Sequence, residues 1–371
     1  IFVFPLFLLG TVTPSLVKYS VDSLDDSGSV VGKLNASNTI GSIIGTFVPT
    51  FISIPAVGTA ITFLIFAGIL LALSIVYFVS SKVNFSKAKK VPVSVVLFLV
   101  CCILGHDGSF AFWQTDLTYE GESIYNYLQV YETPSQVVLS TNVLFGTQSV
   151  YRKEKGPTGM YYDYAMAALP MADKTVGNPT KILVLGNGSG TFATQCRRYY
   201  DDVDITGVEI DEKITELASE YFEFPEEVPV ITYDGRAYLN AIEDTYDVIM
   251  VDAYQDITIP FQMSSREFFQ LVEDHLNPGG VMVVNLNMRS DKEGNINAYL
   301  ADTIGSVFPY IETAEGLTVY EAGDLLLTDD KAPVELLGMQ VIDDLIADEV
   351  YYYKSVYEQQ GLDGLLQQLN F

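Results

Sequence analysis

The sequence predicts an α/β fold: a parallel sheet with covering helices over about residues 181–286, set behind a small β-domain and a block of transmembrane helices. Three observations predict it. Uncharged apolar runs crowd the first 105 residues. From Lys181 onward, short apolar runs alternate with amphipathic stretches, the pattern of strands and crossover helices. Gly186, Gly188 and Gly190 stand where the first of those strands runs out.

The charge is divided along the chain. Residues 1–105 hold six lysines and three aspartates, a charge of +3, while the rest holds 14 basic and 44 acidic residues, or −30, together the net −27. Phosphate contacts need a basic surface, so a nucleic-acid partner is not expected. Most of this acidity reads as surface hydration, with a few carboxylates free to meet a cationic substrate. Cys101, Cys102 and Cys196 form no disulfide framework and no Cys/His cluster of the kind that binds zinc, so no metal is expected. With only His106 and His275 present, a histidine-based triad is not expected either.

In the membrane block, residues 59–80 carry no charge over 22 positions, enough to span a bilayer. Residues 37–57 are also uncharged and rich in small residues, with a GxxxG at Gly41 and Gly45 suited to helix packing. Residues 1–17 read as a further helix, begun within its apolar run, and 91–105 as a short fourth segment, giving three to four spans. Lys82, Lys87, Lys89 and Lys90 place the loop before 91–105 in the cytoplasm. A full crossing by 91–105 would export the soluble half, so a re-entrant or interfacial course is favoured, with the soluble half on the cytoplasmic side.

Residues 106–118 read as a linker, and 119–160 as a small β-domain with turns at Thr133-Pro134-Ser135 and Ser140-Thr141-Asn142. The sheet domain takes 161–371. KILVLGNGSG is a buried strand entering a glycine loop and TFATQCRRYY its helix; DITGVEID, VPVITYDG, YDVIMVDAY and GGVMVVNLN supply four more strands. SSREFFQLVEDHL is a helix capped by Ser264 or Ser265. Residues 333–368 read as largely helical.

The chemistry is expected at the strand ends. Glycines at 186, 188 and 190 let the backbone turn sharply and approach a ligand. Thr191 stands where a G-x-G-x-x-G would need glycine, which disfavours a nicotinamide dinucleotide. Glu209, 19 residues past Gly190, is placed to accept ribose hydroxyls, with Asp211 read as a solvated neighbour. Asp234-Gly235 follows the third strand, where a carboxylate can accept an adenine amino group or simply build a turn. Asp252 follows the fourth, facing the crevice in which open α/β sheets bind ligands. Four such features in order point to a nucleoside.

These residues, with Glu122-Ser123-Ile124-Tyr125 and Tyr161-Tyr162-Asp163-Tyr164 before Ala168-Leu169-Pro170-Met171, resemble the spermidine synthase family, polyamine aminopropyltransferases on a class I methyltransferase-like (Rossmann-like) fold. LGTVTPSLVKY and the run after Val30 are similar to the membrane block of transporter-like/spermidine synthase fusions. The resemblance implies decarboxylated S-adenosylmethionine or S-adenosylmethionine as co-substrate, a small polycationic amine as acceptor, and a homodimer paired through the β-domain in contact with membrane lipid. It implies catalytic roles for Asp252, Asp256 and Tyr162. It adds Ser189 and Asn126 to the cofactor site and gives Asp163, Tyr254 and Gln255 to the substrate. The chain departs from the family where an amine-holding Asp becomes Ser189, where the general base aligns with Gln255 beside Asp256, and where Asn126 and Asp163 replace other polar groups. Aminopropyl transfer, methyl transfer from intact S-adenosylmethionine, and a non-catalytic nucleoside or polyamine sensor are the readings in competition.

Overall fold

The computed structural model describes residues 3–21, 27–80, 90–106, 114, 117–141, 146–172, 178–253, 260–286, 296–314 and 324–329. They divide into two units, Ile1–Phe110 and Ala111–Phe371. Lys82, Lys87, Lys89, Tyr254, Gln255, Asp256 and the stretch 333–368 lie outside the described residues.

The first unit is helical: α1 (Val3–Gly10), α2 (Val12–Ser20), α3 (Ser27–Val48), α4 (Ile54–Ser80) and α5 (Lys90–Leu104). A wide turn at Pro49–Ser53 joins α3 to α4, so Ser27–Ser80 is one helical run, long and apolar enough to cross a membrane. At about 1.5 Å per residue its 54 residues would reach far beyond a hydrocarbon core of roughly 30 Å if straight. The run breaks at Gly58, whose φ of 80° and ψ of 171° are not helical, between the uncharged stretches 37–57 and 59–80. Pro49 offers no N–H to the preceding turn, and the wider turn there accommodates it. Thr39, Thr46 and Ser74 each donate a hydroxyl to the carbonyl four residues back, which satisfies them on an apolar helix. Gly68 faces Phe98 of α5, where a Cβ would stand 3.1 Å from the ring tip.

The second unit opens with an antiparallel sheet, β1 (Leu117–Glu122), β2 (Tyr127–Glu132), β3 (Gln136–Ser140) and β4 (Ser149–Arg152), paired in chain order. Its first strand begins at Leu117, inside the stretch read as linker. Two short helices follow, α6 (Tyr162–Ala165) and α7 (Ala168–Met171). Then come β5 (Thr180–Leu185), α8 (Thr191–Tyr199), β6 (Val203–Glu209), α9 (Glu212–Tyr221), β7 (Val230–Thr232), α10 (Gly235–Ala241), β8 (Tyr246–Val251), α11 (Arg266–Asp274), β9 (Leu276–Leu286), α12 (Ile296–Gly305), β10 (Tyr310–Ala314) and β11 (Asp324–Asp329). The seven strands order as β10-β11-β9-β8-β5-β6-β7. The five from β9 to β7 run parallel, and β11 and β10 add an antiparallel edge. That edge pair is absent from the sequence reading.

Alternation along the parallel strands sends side chains to two cores. Ile182, Val184, Val248 and Met250 pack with Phe192 and Cys196 of α8 and with Met166 and Leu169. Leu183, Leu185, Ile249 and Val251 pack with Phe268, Phe269 and Val272 of α11. The small sheet covers α9: Leu128, Val130, Val137 and Leu139 bury Leu217 and Phe222. Successive crossovers run outward from β5 through β6 to β7, then restart at β8 on its other side. The carboxyl ends of β5 and β8 therefore flank the point where a doubly wound sheet opens a crevice.

Candidate active site

The bend after β5 admits only glycine at its tightest positions. Gly186 has φ +89°, and a Cβ there would lie 2.6 Å from the Asp252 carbonyl oxygen; at Gly190, φ +84°, it would strike the Phe224 ring. The N–H groups of Gly186 and Asn187 donate to the Val208 carbonyl, and that of Gly188 donates to Glu209 Oε2 at 2.8 Å. Glu209 is buried, and its Oε1 accepts from the Asp211 N–H at 3.0 Å. Burial pushes its carboxyl above the usual range, against the pull of these N–H groups.

Asp211 corrects the sequence reading. It is 1% exposed rather than solvated. Its Oδ1 caps α9 through Lys213 N–H, and its Oδ2 accepts from Ser123 Oγ at 2.5 Å and Asn126 Nδ2 at 3.0 Å. It thereby fixes the β1–β2 turn, 88 residues away in sequence, beside the glycine loop. Asp234 caps α10 by accepting from Ala237 N–H at 2.8 Å. Arg236 of that helix donates to the Gln262 carbonyl at 2.7 Å, holding the segment Pro260–Met263 in place.

A cavity of about 520 Å³ lies among these groups. Gly186, Gly188, Glu209, Asp234, Gly235 and Asp252 line it from the sheet, Asn126 from the small β-sheet, and Pro260 to Met263 from the segment after β8. Asp252 is 7% exposed, and its Oδ2 accepts from Tyr161 Oη at 2.5 Å. Burial lifts its carboxyl to about 7, opposed by hydrogen bonds from Tyr161, Tyr162 and Asn285 and reinforced by the nearby Glu209. Tyr162 packs its ring 4.1 Å from that of Tyr161, and its one phenolic hydrogen is shared between Asp252 and the Gln148 carbonyl, 3.1 Å away.

Four of the described residues expected at the site, Tyr162, Asp163, Ser189 and Gly190, are not among those lining the cavity. Asp163, read as a substrate ligand, is buried and accepts from Thr158 N–H (2.9 Å), Thr158 Oγ1 (2.8 Å) and Gly159 N–H (2.8 Å). With those bonds made, it shapes the turn before α6. Ser189 is 2% exposed; its N–H donates to Ser149 Oγ at 3.3 Å, and its own buried hydroxyl has no hydrogen-bond partner among the described residues. Tyr161 and Asn285 were missed. A lone polar residue inside the apolar strand VMVVNL was the readable signal for Asn285; Tyr161 had none beyond its place beside Tyr162.

Fold and site together define a group-transfer enzyme on a class I methyltransferase-like sheet. The pattern of the spermine/spermidine synthase domain matches residues 160–314. The chain is 48% identical to a probable polyamine aminopropyl transferase of Bifidobacterium longum, over 80% of this chain and 78% of that one. It is 28% identical to putrescine N-methyltransferase 2 of Nicotiana attenuata, over 45% and 44%. Among solved structures it is similar in fold to a probable spermidine synthase from Corynebacterium glutamicum, with TM-score 0.52, 20% identity, and 65% of this chain and 93% of that chain covered. The chain belongs to the spermine/spermidine synthase family.

Proposed function

We propose that this cavity transfers the aminopropyl group of decarboxylated S-adenosylmethionine to a small polycationic amine such as putrescine. The observation that carries the reading is the meeting of the glycine bend, Glu209, Asp234 and Asp252 around one cavity. The bend brings bare backbone to the nucleoside, Glu209 accepts the ribose hydroxyls, Asp234 accepts the adenine amino group, and Asn126 borders the same space. The uncharged amine nitrogen attacks the aminopropyl carbon bonded to the sulfonium. The carbon–sulfur bond breaks, its electron pair stays on sulfur, and methylthioadenosine leaves. The proton shed by the amine goes to Asp252, a carboxyl poised near neutrality and suited to general-base work. Tyr162 shapes the amine path; the family resemblance gives Asp256 a further catalytic role and Tyr254 and Gln255 to the acceptor.

In this reading the chain has a membrane block over 1–105, a short linker ending where β1 begins, a β-domain to 160 and the catalytic domain from 161. The helical block crosses the membrane several times in contact with lipid, the catalytic domain faces the cytoplasm, and the β-domains pair two copies. Full-length protein given putrescine and decarboxylated S-adenosylmethionine should release methylthioadenosine. Release no greater than that of Asp252→Asn would remove the proposal.

A second reading, methyl transfer, is favoured by the likeness to a putrescine N-methyltransferase. Calorimetry with both cofactors separates them: tighter binding of the decarboxylated form counts against methyl transfer.

A further inference from the structure

We propose that Tyr161, one residue before the tyrosine that the family resemblance singles out, is a positioning residue for the transfer step, holding the Asp252 carboxylate in the orientation that receives the amine proton. This rests on the reading of Asp252 as the proton acceptor.

The geometry is specific to this chain's tyrosine pair. Tyr161 Oη lies 2.5 Å from Asp252 Oδ2, and both side chains are more than nine-tenths buried. Tyr161 itself is held from two directions. Its ring packs on Tyr162, and its carbonyl accepts the Ala165 N–H at 2.9 Å as α6 begins. The turn that delivers it is clamped by Asp163 through Thr158 and Gly159. Thus the buried Asp163 acts on the site indirectly, by fixing the segment that carries Tyr161. On the other side, a Gly186 side chain would strike the Asp252 backbone, so that backbone is pinned against β5. With backbone and one carboxylate oxygen both fixed, the side chain has one orientation toward the cavity.

The groups facing Asp252 are Tyr161 and Tyr162 from α6 and its lead-in, Asn285 from β9 and Glu209 from β6. The hydroxyl and amide groups donate to the charged form, and Glu209 opposes it. Removing the Tyr161 hydroxyl therefore makes Asp252 harder to ionise and looser.

The test uses the full-length protein. Tyr161→Phe keeps the ring and loses the donor. The expected result is an acid limb of the kcat/KM profile moved up by about one to two pH units. The plateau kcat should fall about tenfold, with amine KM and methylthioadenosine affinity changing less than about threefold. An acid limb that does not move overturns the proposal. Should Tyr161→Phe not fold, 3,5-difluorotyrosine at 161 decides. A more acidic phenol donates more strongly, so the limb should move down, and an unmoved limb again overturns the idea. Asp252→Asn separates the two levels: if it turns over normally, the base reading itself fails; if it is inactive while both Tyr161 variants keep the native limb, only the positioning role fails.

Discussion

Asp252→Asn should make the protein more stable above neutral pH while removing its turnover. A carboxyl whose folded-state value lies at about 7, against an ordinary 3.8, binds its proton more tightly in the folded chain. Its contribution to stability is complete below pH 3.8 and is lost as pH rises through 7. Between pH 5 and 8.5 that loss integrates to about 2–3 kcal/mol, at roughly 1.4 kcal/mol per unit of separation. The amide has the same shape and no ionisation, so the variant lacks this loss. The difference in stability between variant and parent should therefore widen by about 2–3 kcal/mol across the range, in the variant's favour. For a unit of this size the gap in Tm should widen by about 5–10 °C. An amide nitrogen set against a donor such as Asn285 lowers the variant's curve by a constant amount and leaves the widening intact. Calorimetric melts of both full-length proteins in detergent at pH 5, 7 and 8.5 measure it. A gap that does not change with pH refutes the claim that burial, and not a fixed charge partner, sets this carboxyl.

Further outcomes follow from the same contacts. In the native enzyme kcat/KM should rise with pH through about 7 and not near 4, because the base must be ionised; a limb centred below pH 5 would contradict the burial of Asp252. Gly186→Ala should abolish binding of methylthioadenosine by calorimetry and cost at least about 2 kcal/mol in stability, since its Cβ meets backbone at a positive φ. Asp211→Ala should cost about 1–3 kcal/mol by denaturant unfolding, from a lost helix cap and two half-buried donors that lose this acceptor. Phe268→Ala should cost about 3–5 kcal/mol by the same measure with nucleoside affinity retained, because that ring lies in the core on the α11 face and not in the cavity.

What the sequence made legible follows from the range of the forces involved. The strands β5 and β8 announce themselves locally, because a parallel strand buried on both faces reads as an apolar run, and these two runs end at Gly186 and Asp252. The order of the strand ends is enough to forecast that Gly186, Glu209, Asp234 and Asp252 meet. The edge pair β10–β11 lacked that signal: YIETA is short and half polar, and its pairing with DLLLTD joins segments separated by a long connection.

The roles of individual carboxylates divide along another line. Asp211 and Asp163 look in sequence like any acid at a turn, yet both are buried and occupied by donors away from the cavity, while Asp252 stands at the cavity. An acid is structural where its oxygens are taken up by a supply of N–H and O–H groups away from the cavity, and open to substrate where it lines the cavity. For Asp211 that supply comes from Ser123 and Asn126, more than 80 residues earlier. Asp163 too is pushed up by burial, against the pull of its Thr158 and Gly159 donors, but its oxygens are turned to that turn and not to the cavity. Asp252 sits where burial outweighs its donors, so its proton remains exchangeable near neutral pH. That balance is a property of the closed fold, and it makes a one-atom change at Tyr161 a sharper probe of this site than removal of any acid within it.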